Sequence, residues 1–307
     1  MSSASLIQRA GISTRGHFAP RTSIVTGAAS GIGAAIAARL VARGSHVVIA
    51  DLDLDKATAV AARLGNATAV RVDVSDAAAV RDLVSSTVAR HGRLDVMVNN
   101  AGVAIGGFHE QLEQAQWDLA LGVNLWGVIN GVNAAYPVMR EQRSGHILNT
   151  ASLAGLIPAP TMLPYTTTKY AVVGLSTALR AEAASMGVRV SVLCPGFVDT
   201  PLLDEIHTGH LDEGEEFISM RKEIRLMQPS LITADAVGDA ALRGMERNKA
   251  VIAVGSMAQV MWRLNRYLPP VARAIIQVQA TGARRVMRQA PSTAPVQDRP
   301  APSRVAG

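Results

Sequence analysis

The 307 residues are 49% hydrophobic and 18% charged, a mixture that buries a sizeable core and excludes disorder for most of the chain. Aromatics reach only 4% while glycines number 26, so the core must come from Ala, Val, Leu and Ile, and the single cysteine, Cys194, excludes an intramolecular disulfide framework and a Cys-based zinc cluster. The net charge of +6 is lopsided: residues 256–307 hold eight arginines against Asp298, residues 1–22 hold three arginines and no acid, and 6 − 10 leaves −4 for the body, with no aromatic interleaving at either end to suggest nucleic-acid binding.

Residues 1–21 contain Ser and Arg without an apolar run and read as a disordered extension. Beyond them, β-branched runs at Ser23–Val25, His46–Ala50, Ala67–Val72, Asp95–Val98, His146–Asn149, Arg189–Leu193 and Ala250–Val254 alternate with segments of helical period at 31–44, 55–64, 76–91, 114–139, 165–186 and 234–247. This alternation predicts an α/β fold over 22–255: a doubly wound, Rossmann-type, seven-stranded parallel sheet with helices on both faces. The uncharged run Leu119–Met139 carries Asn124, Asn130, Asn133, Pro137 and three glycines, which suits a buried helix rather than a lipid-exposed span, and the expected location is cytoplasmic. Residues 199–232 offer no strand and change from acidic to apolar, as a lid or a solvated excursion would. Residues 256–289 form a helical extension, and 290–307, with four prolines from Pro291 onward, a disordered tail.

The first strand runs into Thr26-Gly27-Ala28-Ala29-Ser30-Gly31-Ile32-Gly33, where glycines allow a tight turn and close approach of a pyrophosphate to a helix N-terminus, although a plain tight turn would also use them. Asp51 ends the second strand, where a carboxylate can accept both hydroxyls of an adenosine ribose; helix capping is the competing role, which Asp53 or Asp55 fills more naturally. A 2′-phosphate would meet like charge there, and no basic residue precedes Gly31 or directly follows Asp51, so NAD is favoured over NADP. Ser152 is followed thirteen residues later by Tyr165 and one helical turn on by Lys169, an i, i+4 pair in which the ammonium can favour the phenolate and make Tyr165 a general acid/base. Alone, that pair would equally suit an amphipathic helix with a snorkelling lysine.

Taken together, Thr26-Gly27-x3-Gly31-Ile32-Gly33, Asn99-Asn100-Ala101-Gly102, Ser152-x12-Tyr165-x3-Lys169 and Pro195-Gly196 resemble the short-chain dehydrogenase/reductase family over roughly residues 22 to 255. The resemblance implies that Gly27, Ser30, Gly31, Ile32 and Gly33 line the pyrophosphate, that Asp73 and Val74 lie against the adenine, and that Asn100 and Gly102 support the cofactor's flank. It also implies a nicotinamide site at Pro195, Val198 and Thr200, and a catalytic set of Asn124, Ser152, Tyr165 and Lys169, with Asn124 holding a proton-relay water. No metal is implied, and His207 and His210 read as lid surface.

The expected chemistry is interconversion of a secondary alcohol and a ketone. Val103, Ala104, Leu153, Ala154, Ile157, Met162, Met220 and Met227 make a lipophilic substrate the expected partner. An NADP-linked reductase of 3-oxoacyl thioesters and a non-catalytic NAD-sensing scaffold are the rivals, the intact Ser152, Tyr165 and Lys169 arguing against the second. In the family, the helix from Ala115 to Met139 and the one carrying Tyr165 commonly pair across a twofold axis, giving a homodimer or homotetramer. In the extension, Val271, Ile275 and Val278 recur at helical spacing beside Arg273, Gln277, Arg284 and Arg288, a basic amphipathic pattern suited to peripheral membrane contact or to covering an apolar patch of the protein itself or a partner subunit.

Overall fold

The computed structural model describes residues 18–208 and 231–287. Its first half alternates strand and helix: β1 (Thr22–Thr26), α1 (Gly31–Ala42), β2 (His46–Asp51), α2 (Leu54–Leu64), β3 (Ala67–Arg71), α3 (Ala77–His91) and β4 (Val96–Asn99). Local chemistry sets these starts. Asp53 accepts from the Lys56 backbone N–H at 3.0 Å to cap α2, and Asp76 accepts from those of Ala78 and Ala79 to cap α3. A short strand β5 (Ala104–Gly106) precedes α4 (Gln114–Ala120) and α5 (Gly127–Glu141), followed by β6 (Gly145–Thr150), α6 (Leu163–Ala183) and β7 (Val188–Pro195). After two-residue β8 (Val198–Asp199), β9 (Ile206–Thr208) and β10 (Ile232–Thr233) come α7 (Ala234–Glu246), β11 (Val251–Val254) and two helices, α8 (Ser256–Tyr267) and α9 (Pro269–Met287).

Seven strands form one parallel sheet in the order β11-β7-β6-β4-β1-β2-β3, with all carboxyl ends on one edge. The order in which successive strands join the sheet reverses between β1 and β4, and the crevice outside the strand ends at that switch point is where such sheets bind ligands. Being buried on both faces, the strands are continuously apolar, as Ile24, Val25, Val47, Val48 and Ile49 show. One face is packed by Val80, Leu83, Val128, Val132 and Val172 from α3, α5 and α6, the other by Ile36, Leu40, Ala57, Val237 and Ala241 from α1, α2 and α7. Arg39 of α1 reaches Asp235 and Asp239 of α7, joining two helices of the second face.

Two sequence expectations change. The helix expected over 114–139 is interrupted between α4 and α5, where Leu121–Trp126 open into a wider turn of π type. The expected absence of strands in 199–232 is also incomplete: β8 pairs β10 and β9 pairs β5, both in parallel, while 209–230, with Met220, Met227 and His210, lie outside the described residues, as do 1–17 and 288–307. Two- and three-residue strands carry too short an alternation to be read from sequence.

His146 at the start of β6 is fully buried; its Nε2 lies 2.9 Å from the Ser191 hydroxyl, and desolvation, aided by Arg189 and Arg180, pulls its pKa down from 6.5 to about 3. The folded protein therefore keeps His146 neutral over the range in which the unfolded chain protonates it. Stability should fall as pH drops from 6.5 towards 3, with a contribution approaching roughly 5 kcal/mol. Urea unfolding across that range should show a shallower acid limb for His146→Gln than for the parent; parallel limbs would contradict it.

Candidate active site

The cofactor end of the crevice is built by backbone that only glycine permits. Gly27 and Gly31 have φ of +60° and +52°, and a Cβ on Gly27 would stand 2.7 Å from the Ala101 Cα. Asn100 fixes this turn from the next strand: its Nδ2 donates to the Thr26 and Gly27 carbonyls, both at 3.1 Å, while its Oδ1 accepts from the Thr150 hydroxyl. Thr26, the first residue of the motif and one given no role by it, completes the tie, since its Oγ1 accepts from the Asn100 and Ala101 backbone N–H groups. Gly27, Ser30, Gly31, Ile32, Asp51, Asp73, Val74, Asn100, Gly102, Pro195, Val198 and Thr200 all line one cavity of about 1280 Å³.

Gly33 does not. A Cβ there would lie 2.1 Å from the Gly27 carbonyl oxygen and 2.7 Å from Asn100 Nδ2, so this glycine lets α1 pack against the turn rather than lining the ligand space as expected. Asp51 faces the cavity from the end of β2 and accepts the Ala29 and Asp53 N–H groups at 2.9 and 3.1 Å. Asp73 is engaged similarly by Ser75. A glycine cradle beneath a helix N-terminus, with a carboxylate at the next strand end, fits the pyrophosphate and ribose of a dinucleotide.

At the other end of the same cavity, β6 and α6 bring together Ser152, Tyr165 and Lys169. Ser152 lies close enough to the Tyr165 phenol to favour its ionised form, and it accepts from the Ala154 N–H at 3.2 Å. Lys169 Nζ lies 5.4 Å from the Tyr165 ring centroid and donates to the Thr150 carbonyl at 3.1 Å. Asn124, in the wide turn, is completely buried; its Nδ2 donates to the Val103 carbonyl and its Oδ1 accepts the Val103 N–H. A Cβ on Gly102 would stand 3.0 Å from Asn124 Oδ1 and 3.5 Å from Lys169 Nζ, so the absence of a side chain there leaves room for both the amide and the ammonium.

The electrostatics depart from expectation. Burial pushes the Tyr165 pKa up, only partly opposed by Ser152, whereas proximity to Lys169 was expected to lower it. Desolvation penalises the phenolate, and Lys169 lies over the ring while its own pKa is lowered by burial to about 8. Cys194, buried nearby, is pushed up to about 12 and stays a thiol.

Val103, Ala104, Leu153, Ala154, Ile157 and Met162 line the substrate end as expected, and His207, read as lid surface, also lines the cavity. Sequence reasoning missed the far wall, formed by Met257 and Met261 of α8 and by Gln279, Ala280, Gly282 and Ala283 of α9. The signal was the helical period of the extension, which shows that a face is buried but not against what. Asn265 Nδ2 donates to the Leu156 carbonyl, and Arg284 pairs with Glu110 at 2.5 Å while lying 4.1 Å from the Phe108 ring centroid, so both helices are docked on the body. The extension therefore covers an apolar surface of its own subunit, one of the two roles its pattern allowed. Among the described residues no cluster of three metal-ligating side chains occurs, and no helix is long and apolar enough to cross a membrane.

Sheet order, glycine cradle and the Ser-Tyr-Lys convergence define a dinucleotide-dependent oxidoreductase class of site. The short chain dehydrogenase family pattern matches residues 21–210, and the chain belongs to the short-chain dehydrogenase/reductase family of NAD(P)-dependent oxidoreductases. It is 34% identical over 273 residues to "Probable oxidoreductase EphD" of Mycobacterium bovis; the match covers 86% of this chain but 46% of that relative, so the chain spans about half its length. A crystal structure of a short chain dehydrogenase/reductase from Burkholderia phymatum in complex with NAD superposes with a TM-score of 0.73 at 27% identity, covering 92% of this chain and 99% of that one. For the 3-ketoacyl-(acyl-carrier-protein) reductase of Brucella melitensis, complexed with NADH, the TM-score is 0.69 at 31% identity, covering 76% and 96%.

Leu52, beside Asp51, is 60% exposed at the cavity rim. Replacing Asp51 by Ala and Leu52 by Arg removes the repulsion against a 2′-phosphate and supplies a partner for it. The kcat/KM ratio of NADP over NAD should rise by about tenfold or more, equivalent to one modest ion pair. An unchanged ratio would mean that Asp51 does not face the ribose.

Proposed function

We propose that this chain interconverts a lipophilic secondary alcohol and its ketone with NAD. The observation that carries the reading is the convergence of Ser152, Tyr165 and Lys169 at the apolar end of a cavity whose other end is the glycine cradle and Asp51. The nicotinamide, when bound, supplies the hydride acceptor or donor. Ser152 holds the substrate oxygen by a hydrogen bond. Tyr165, kept neutral by burial, donates its phenol proton to a ketone oxygen; in the reverse direction it first gives that proton up towards Lys169 and, as the phenolate, takes the carbinol proton. Lys169, its pKa lowered by burial to about 8, stands over the Tyr165 ring, donates to the Thr150 carbonyl and is the group through which the tyrosine exchanges its proton. NAD is favoured over NADP by Asp51, and the lipophilic substrate by the Val, Leu, Ile and Met lining. Lys56, a cation at the cofactor end, is paired with Asp53 at 2.9 Å.

Likeness to the Brucella reductase supports a second reading, reduction of 3-oxoacyl thioesters; initial rates on a long-chain secondary alcohol and on a 3-oxoacyl thioester, each with both cofactors, separate the two. Tyr165→Phe keeps the ring and removes the proton, so turnover should fall about a thousandfold while NAD binding, read by fluorescence, stays within a few-fold of the parent. Turnover within tenfold of the parent would overturn the assignment.

The reading extends to assembly. Trp126 and Tyr170 are 55% and 40% exposed, at the start of α5 and on α6, and a twofold copy pairing these helices would cover them. Light scattering at micromolar concentration should give a dimer or tetramer, and a monomer would overturn it.

A further inference from the structure

The inner faces of α8 and α9 are accounted for: Ala258, Ala272 and Ile276 are buried, and Met257, Met261, Gln279 and Ala280 line the large cavity. Their outer faces carry a second pattern that the fold does not use. Val260, Leu264 and Tyr267 recur at i, i+4 and i+7 on α8, and Val271, Ile275 and Val278 on α9. Of these, Val260, Tyr267 and Val278 are 59%, 72% and 73% exposed, and Leu268 between the helices is exposed too. A run of large exposed apolar side chains on docked helices is unlike a solvated surface.

The charge beside them has one sign. From Arg247 to Gln297 the sequence holds no acid. A separate concavity of about 300 Å³ joins α7, β11 and α8 and is lined by Arg243, Arg247, Lys249 and Arg263 around Trp262. Among the described residues none of these four cations is in an ion pair, although Arg243 lies close enough to Asp239 to lower its pKa. The neighbouring acids are engaged elsewhere: Asp235 and Asp239 hold Arg39, and Glu246 holds Arg43. Arg263 falls one turn from both Val260 and Tyr267, so the basic concavity and the apolar stripe of α8 adjoin.

We propose that this face docks on an anionic lipid bilayer, with Val260, Tyr267 and Leu268 entering the headgroup boundary and Arg243, Arg247, Lys249 and Arg263 taking lipid phosphates. Basic side chains flanking shallow apolar ones are what an interfacial helix needs, and a phosphate surface supplies the missing anions. A second copy of this chain on the same face would set these cations against their own images with no acid in the segment to offset them. The docking is independent of the reaction assigned above. It would present the cavity wall formed by the same two helices to the phase in which apolar molecules dissolve.

The test is co-sedimentation of the full-length, NAD-saturated protein with phosphatidylglycerol/phosphatidylcholine vesicles and with phosphatidylcholine alone. The parent should pellet with the anionic vesicles only and be released by high salt. Arg247→Glu with Arg263→Glu, and separately Val260→Ser with Tyr267→Ser, should each lower partitioning by roughly tenfold or more. Melting temperature and turnover of a small soluble alcohol should stay at parental values, because none of the four residues touches the catalytic groups. If either pair lowers the melting temperature, Arg263→Gln alone replaces it and should still weaken partitioning. A parent that stays in the supernatant with both vesicle types, or variants that pellet as it does, overturns the proposal. So does a change of oligomeric mass in the charge variants without vesicles, which would assign the face to a second copy.

Discussion

One side-chain amide ties the carboxyl ends of β1 and β4 together, and the cofactor half of the site depends on it. Asn100 donates to two consecutive carbonyls of the glycine turn, and Thr26 answers by accepting two backbone N–H groups from the segment after β4. These bonds are partly shielded from water, and an unmade partner costs up to about 1–3 kcal/mol as shielding becomes complete, so moving either segment leaves groups on the other without their partners. The turn's positive φ values are held in place by this tie, and Gly33 brings α1 close enough to aim its N-terminus along the same line.

The catalytic half depends on a different irregularity. A regular helix through 114–139 would not leave Asn124 facing the Val103 backbone with both ends of its amide. The wider turn at Leu121–Trp126 brings that side chain inward, and Gly127, where a Cβ would stand 2.7 Å from a Val74 methyl, lets the following helix lie close to the segment that leaves β3. Asn124, Lys169 and the Thr150 carbonyl then form a buried polar patch beneath the tyrosine, in an environment that otherwise lowers the lysine pKa and raises that of the phenol.

Much of this was legible in the sequence because parallel sheets, buried on both faces, write their strands as short apolar runs and their crossovers as helical periods. All seven main strands could be placed that way, and the Ser152, Tyr165 and Lys169 spacing points to one helix face and one strand end. The break at Asn124 was not legible, since Leu121 to Trp126 keep an apolar pattern compatible with either winding. Nor was the difference between Gly31, which borders the ligand space, and Gly33, which packs against Gly27, because both look alike in a glycine-rich run. The cavity's far wall escaped for a more general reason: the period of α9 reveals that Ala272 and Ile276 turn inward, while the partner surface is more than a hundred residues away in sequence, at Phe108 and Glu110.

That distance in sequence has a consequence for how such a molecule can change. The wall of α9 is fastened near its far end by an exposed ion pair and a cation-π contact, Arg284 on Glu110 and Phe108, and turns from α8 at Pro269 and Pro270. Neither fastening shares an atom with the cradle or the tyrosine. Insertions, deletions or substitutions in the last two helices can therefore resize the substrate space while the redox machinery keeps its geometry, so the selectivity and the chemistry of this enzyme fold can drift along separate evolutionary paths within one continuous chain.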